Sequence, residues 1–253
     1  MRRAIAPPND MLQTERVPTG IVGLDHVIEG GLPKGRSFLI TGEPGTGKTI
    51  FALQFLVEGL KRGEKGIYVT ADESPVDLLE QAASLGWDLE PRVEAKELAI
   101  LNAGAYLSAP SGSGRERQID VQKAVADLAS FVGQIGAKRL VLDPAGPFVL
   151  LRDSNARIQD QTRLLIKLLR SSMQTTNVLT SYAVPRTGER SMHGIEEYLV
   201  AGAVVLELIW QNGALARSLI VEKMRCTDVK PTQLGFDVIK GQGIVIQPPA
   251  RPL

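Results

Sequence analysis

The run Gly42-Glu43-Pro44-Gly45-Thr46-Gly47-Lys48-Thr49 fits the pattern G-x-x-x-x-G-K-[ST], and no other stretch of the chain narrows the fold so far. Average composition gives roughly 0.01 chance matches in a chain of this length. The surroundings agree. An apolar run, Phe38-Leu39-Ile40, precedes the motif, and Phe51, Leu53, Phe55, Leu56 and Leu60 follow with the spacing of a buried helix. A glycine-rich turn between strand and helix lets several backbone N–H groups converge on an anion, with the positive end of the helix dipole behind them. Lys48 is then placed to reach β- and γ-phosphates, and the Thr49 hydroxyl to bind Mg2+. The expected cofactors are ATP and Mg2+, with the nucleotide cradled by Glu43, Pro44, Gly45, Thr46, Gly47, Lys48 and Thr49.

The rest of the chain alternates in a way that suits this motif. β-rich runs at Ser37–Thr41, Gly66–Thr70, Leu98–Leu101, Arg139–Leu142, Asn177–Thr180 and Ala203–Ile209 are separated by helical patterns. Those patterns carry Val76, Leu79, Ala82 and Ala83, then Val121, Val125, Leu128 and Val132, then Leu164, Leu165, Leu168 and Leu169. Strand–helix alternation predicts an α/β fold, a mostly parallel central sheet flanked by helices. The last third changes character. Ala203–Ile209, Arg217–Met224, Phe236–Ile239 and Gly243–Ile246 are closely spaced strands with turns such as Gln211-Asn212-Gly213 between them, so an antiparallel C-terminal extension is expected. The expected organisation is a flexible N-terminal arm over 1–15, one ATPase domain over 16–247 and a tail over 248–253. The glycine-rich stretch Ser108–Arg117 reads as a loop within that domain.

Hydrolysis needs more than a phosphate loop. Mg2+ calls for a carboxylate at the end of a second strand, and Lys138-Arg139-Leu140-Val141-Leu142-Asp143 supplies Asp143 there. An attacking water needs a base. Asp72 and Glu73 follow the strand Gly66–Thr70, and in a parallel sheet the carboxyl ends of the strands face one crevice. Glu73 is the preferred base, with Asp72 and Lys48 beside it in the catalytic set. One acid of the pair is also expected to cap the helix that Ser74-Pro75 opens.

Bulk composition sets limits. Lys plus Arg number 29 against 28 Asp plus Glu, a net charge of +1, which argues against affinity resting mainly on a nucleic-acid backbone. The single cysteine, Cys226, cannot form an internal disulfide, so a cytoplasmic setting is expected. No apolar run approaches the roughly 20 residues of a membrane-spanning helix, and no membrane association is expected. His26 and His193 lack partners at ligand spacing, so no zinc site is expected. Trp87 and Trp210 read as packing residues, and Tyr106 as a residue that could approach an adenine.

With these elements placed, the chain resembles the KaiC branch of the RecA-like P-loop ATPases, from about Val17 to Gln247. The resemblance is carried by Arg16-Val17-Pro18-Thr19-Gly20 with Leu24-Asp25, by Gly30-Gly31-Leu32-Pro33-Lys34-Gly35, by Val69-Thr70-Ala71-Asp72-Glu73-Ser74-Pro75 and by Leu85-Gly86-Trp87-Asp88-Leu89. It implies Mg-dependent ATP hydrolysis in a homo-oligomeric ring, commonly a hexamer, with the nucleotide between subunits. It also implies that Lys223 and Arg225, the lysine-x-arginine pair of the strand Leu219–Arg225, act on the neighbour's γ-phosphate. Three positions depart from the family pattern: Asp72 where a glutamate is usual, Pro144 where a hydroxyl residue often follows the aspartate, and no glutamate just after Asn177–Tyr182, which resembles the family's sensor strand. The family's clock protein has two tandem ATPase modules and this chain has one phosphate-loop motif, so timekeeping is not implied. Autophosphorylation is not expected either, and Ser154 reads as a helix cap.

Two other functions stay open at this stage. One is a RecA/RadA-like repair ATPase that binds single-stranded DNA, using Arg115 and Arg117 of the glycine-rich loop. The other is a nucleotide-gated signalling or scaffold module with little turnover and a protein partner.

Overall fold

The phosphate-loop strand stands in the middle of a nine-stranded sheet, and everything else is arranged around it. The computed structural model describes residues 14–103, 121–148, 155–182, 199–211 and 213–247. Residues 1–13, Tyr106, the Ser108–Arg117 loop, Ser154, His193 and the tail 248–253 lie outside them. In chain order the strands are β1 (Arg16–Val17), β2 (Leu32–Pro33), β3 (Ser37–Gly42), β4 (Gly66–Thr70), β5 (Leu98–Asn102) and β6 (Arg139–Asp143). They continue as β7 (Thr176–Tyr182), β8 (Gly202–Gln211), β9 (Ala214–Met224), β10 (Thr232–Ile239) and β11 (Gly243–Ile246). The helices are α1 (Val22–Val27), α2 (Lys48–Lys61), α3 (Pro75–Ser84), α4 (Glu90–Glu94), α5 (Val121–Ile135) and α6 (Asn155–Ser172). β1 and β2 form a small antiparallel pair, and the main sheet runs β11-β10-β9-β8-β3-β7-β6-β4-β5.

From β8 to β5 all neighbours are parallel, while β9, β10 and β11 add on as antiparallel strands. The expected α/β architecture and its antiparallel extension are both present. β8 joins the two parts, as the place of Ala203–Ile209 in both sets of runs implies: it pairs with β3 in parallel and with β9 antiparallel. β9 follows β8 directly in the chain while β3 stands far earlier, so spacing along the sequence reports only the pairing with β9.

Strand alternation divides the interior in two. Phe38, Ile40, Tyr68, Val141 and Val178 face one cluster with Phe51, Phe55 and Leu56 of α2. Leu39, Ile67, Val69, Leu140, Leu142 and Leu179 face the other, with Val125 and Val132 of α5 and Leu165 and Leu169 of α6. Helices on both faces require strands buried on both sides, hence their nearly unbroken apolar runs. α2 is apolar on most of its circumference for the same reason. Its buried Gln54 is satisfied by the carbonyls of Gly20 and Ile244 and by the Ile244 amide.

The opening motif is architectural. Asp25 accepts from the Thr19 amide and hydroxyl, both at 2.8 Å, and from the Gly20 amide at 3.1 Å. Burial nevertheless pushes its carboxyl above the ordinary value, against those bonds. Glu15 is also tied down: its carbonyl accepts from the Lys34 amide at 2.9 Å and its carboxylate pairs with the Lys34 ammonium at 2.5 Å.

Arg139 starts β6 fully buried. Its Nε donates to Glu64 at 2.6 Å, one terminal nitrogen donates to the Pro18 and Phe55 carbonyls at 2.7 Å each, and the guanidinium lies 4.6 Å from the Phe55 ring centre. Gly59 makes room for it, since a Cβ there would sit 2.5 Å from Arg139 Cδ and Nε. Trp87 is buried as expected, but Trp210 is 79% exposed. It stands opposite Leu215, itself exposed, near the tip of the β8–β9 hairpin.

Candidate active site

The phosphate loop curls as its glycines require. Gly45 and Gly47 have φ of +81° and +109°, values that strain any side-chain-bearing residue. Gly42 is constrained by space: a Cβ there would lie 2.4 Å from the Leu206 carbonyl oxygen and 2.6 Å from Thr46 Oγ1. α2 begins after Gly47 with no side-chain cap, so its first amides are available to an anion. Thr46 is buried and ties the loop by donating through its hydroxyl to the Glu43 carbonyl at 2.8 Å. The Lys48 ammonium donates to the Gly42 and Glu43 carbonyls at 2.8 and 2.9 Å, and stands 5.1 Å from the centre of the Tyr182 ring. Burial lowers the Lys48 pKa, with Asp143 opposing that shift.

Asp143 closes the second side. Its Oδ2 accepts from Thr49 Oγ1 at 3.0 Å and, over a short bond, from the Tyr68 hydroxyl; its Oδ1 accepts a short bond from Thr180 Oγ1. Three hydroxyls from α2, β4 and β7 thus converge on one carboxylate. Burial, then the charge of Asp143 and the hydrogen bond to it, hold the Tyr68 phenol well above its ordinary pKa. The Asp143–Pro144 peptide is cis.

The acid pair follows β4, whose Thr70 is opposite Asp143 of β6. Asp72 accepts from the Tyr182 hydroxyl at 3.1 Å, while Glu73 Oε2 accepts from Gln81 Nε2 at 2.6 Å. Burial raises the Glu73 pKa most; the Gln81 bond opposes it, and the charges of Asp143, Asp77 and Asp72 add to it. Neither acid caps α3. Ser74 does, accepting from the Asp77 amide at 3.1 Å with Pro75 next. A serine directly before proline fills the cap position, which leaves both carboxylates for other uses.

Lys223 and Arg225 stand elsewhere. Lys223 is opposite Ala203, which is opposite Leu39 at the start of the phosphate-loop strand, and its ammonium donates to the Val200 carbonyl at 2.8 Å. The Arg225 amide bonds to the Ala201 carbonyl, and the Ala201 amide to that of Ser37. Ser37 is five residues before Gly42, so Arg225 lies about 16 Å along the strand direction from its own phosphate loop. The pair stands toward the end of the sheet opposite its own phosphate loop.

Lys48, Thr49, Asp143, Asp72 and Glu73 therefore share one end of the sheet, and Lys223 and Arg225 do not. Tyr68, Thr180, Tyr182 and Gln81 were not singled out from sequence. The one signal in the sequence is that Thr180 and Tyr182 lie at the polar end of the strand Thr176–Tyr182.

Comparison with known proteins decides what this arrangement belongs to. The family model described as "ATPase: KaiC" matches residues 17–251. The chain belongs to the KaiC ATPase family. Among KaiC-family relatives, UPF0273 protein PH0284 of Pyrococcus horikoshii is 36% identical over 243 residues, covering 93% of this chain and 95% of that one. The circadian clock oscillator protein KaiC of Parasynechococcus marenigrum is 34% identical over 223 residues, which are 88% of this chain but 43% of the clock protein. A crystal structure of KaiC-like protein PH0186 from Pyrococcus horikoshii superposes with a TM-score of 0.77 at 33% identity, covering 93% of this chain and 100% of that one. The KaiC assignment carries with it a nucleotide-binding ATPase core of RecA-like fold. Among the described residues, no helix is long and apolar enough to cross a membrane.

Proposed function

We propose that this KaiC-family chain hydrolyses ATP with Mg2+ and that each active site is completed by a neighbouring copy, in a ring that is probed first as a hexamer. The observation that carries the reading is the contact between the Thr49 hydroxyl and the Asp143 carboxylate at 3.0 Å, beside the uncapped start of α2 and the two acids. Hydroxyl and carboxylate oxygens are the hard donors that Mg2+ takes, usually with water completing the shell. Thr49 and Asp143 would hold the ion, which would neutralise charge on the phosphates. The amides of the loop and Lys48 would bind the phosphates. Glu73 is the base for the attacking water: a carboxyl whose proton affinity is raised above the ordinary value accepts a proton more readily near neutral pH. Asp72 sits beside it with the Tyr182 hydroxyl on its carboxylate.

The position of Lys223 and Arg225 supports action in trans. At the far end of their own sheet, they can approach a phosphate loop only if it belongs to another copy. Cations delivered at the γ-phosphate stabilise charge that develops in the transition state and make turnover depend on assembly. ATPase rate per chain, measured against protein concentration for the wild type and Arg225→Ala, tests this. The wild-type rate should fall on dilution below the assembly range, and Arg225→Ala should be slow at every concentration. A rate indifferent to both sinks the shared-site reading.

A further inference from the structure

The segment directly after Arg225 is gripped by residues from the opening of the chain. Arg16 donates to the Cys226 carbonyl at 2.6 Å and to the Thr227 hydroxyl at 2.6 Å, and makes a short ion pair with Glu29. Glu29 turns its other oxygen to the Asp228 amide at 3.1 Å. One guanidinium–carboxylate pair thus holds three consecutive residues, 226 to 228. On the other flank, the Arg225 amide is fixed to the Ala201 carbonyl at 2.7 Å.

The backbone is unusual at both places. Among the described residues three non-glycines have positive φ, and two of them are Glu29 at +58° and Cys226 at +60°. Both are bonded to Arg16. Left-handed backbone at a residue with a side chain persists only where surrounding contacts enforce it, and such positions gather at functional segments. Arg16 lies 210 residues from Cys226 in the chain and its side chain is 15% exposed. A fork of this kind fixes geometry as well as charge.

We propose that Arg16 and Glu29 are positioning residues for the cation that this chain lends to its neighbour, setting where Arg225 stands at the end of β9. The proposal rests on the shared-site reading above. It gives the arginine of the opening motif a role in the next subunit's chemistry, although Arg16 belongs to the small β1–β2 pair and not to the sheet that carries its own phosphate loop.

Subunit mixing tests it. Arg16→Ala should lower ATP turnover at least tenfold with little change in the KM for ATP, because the chain's own phosphate loop is intact. Arg16→Ala with Arg225→Ala should be no slower than Arg225→Ala alone. Mixing Arg16→Ala chains with inactive Lys48→Ala chains should restore turnover, since the latter lend a well-placed Arg225 to intact sites. Arg16→Lys keeps the charge and loses the fork, so it should show wild-type melting with reduced turnover; it carries the mixing test should Arg16→Ala fail to fold. Loss without recovery on mixing, or additive loss in the double variant, overturns the positioning role. So does wild-type turnover in Arg16→Ala and Arg16→Lys when Arg225→Ala is slow. Wild-type turnover in Arg225→Ala overturns the shared-site reading itself.

Discussion

Exchanging Glu73 for glutamine separates binding from turnover more cleanly than any other change in the site. The amide has the volume of the carboxylate, and its oxygen can still accept the 2.6 Å bond from Gln81 Nε2. What disappears is a charge that the fold disfavours: burial first, then Asp143, Asp77 and Asp72, hold the Glu73 carboxyl above its ordinary pKa. A carboxyl raised in the folded state costs stability as pH climbs from its unfolded value through its folded one, and the loss persists above that window. Glu73→Gln removes that loss, so at pH 7–8 it should unfold at no lower urea concentration than the wild type. The gain is small, because the group is partly exposed and solvent screens it. The rate should behave in the opposite way. A positioned general base contributes about 10²–10⁴ in rate, or about 3–5 kcal/mol of barrier at roughly 1.4 kcal/mol per tenfold. Phosphate release at saturating ATP should fall by that factor, while equilibrium ATP binding stays within a few-fold of wild type. Wild-type turnover should also decline as pH drops through the raised Glu73 pKa, and the variant's residual rate should lack that limb. Phosphate release within about threefold of wild type, with ATP bound, would falsify Glu73 as the base.

Other substitutions test the surroundings. Thr180→Val keeps the shape but removes the hydroxyl from Asp143 Oδ1; it should cost about 1 kcal/mol in urea unfolding and slow turnover more than it weakens ATP binding, because Asp143 loses one of three hydroxyls orienting it. Arg139→Met removes a buried cation from Glu64 and from the Pro18 and Phe55 carbonyls. Glu64 is partly exposed and can hydrate, so the cost is that of two carbonyls losing their donor, about 1–3 kcal/mol, read as a melting temperature lower by roughly 2–12 °C. Turnover per folded molecule should be unchanged, because Arg139 begins the strand that Asp143 ends. Gly42→Ala should abolish ATP binding even in folded protein, since its Cβ would meet the Leu206 carbonyl and Thr46; isothermal titration with ATP reads this directly.

The sequence by itself determined the elements and the chemistry that local pattern encodes. The phosphate loop was legible because its function needs glycines, a lysine and a hydroxyl at fixed offsets on one turn. The strands of the core were legible because burial on both faces leaves short apolar runs, as in Phe38-Leu39-Ile40 and Leu140-Val141-Leu142. Asp143 and the Asp72–Glu73 pair stood out because each ends such a run. Tertiary structure alone decided what those residues meet. The period of a strand tells which face a side chain takes, but not which strand lies beside it. Only the order β3-β7-β6-β4 brings Thr180 and Tyr68 to Asp143, and Tyr182 to Asp72 and Lys48. The same limit hid the burial of Arg139, the exposure of Trp210 and the choice of Ser74 as the cap of α3. Each depends on what packing supplies or withholds, as the Glu64 carboxylate beside the buried Arg139 shows. The placement of Lys223 and Arg225 at the end of the sheet opposite their own phosphate loop is of this kind too, because only the pairing of β9 with β8, and of β8 with β3, fixes how far along the sheet they stand.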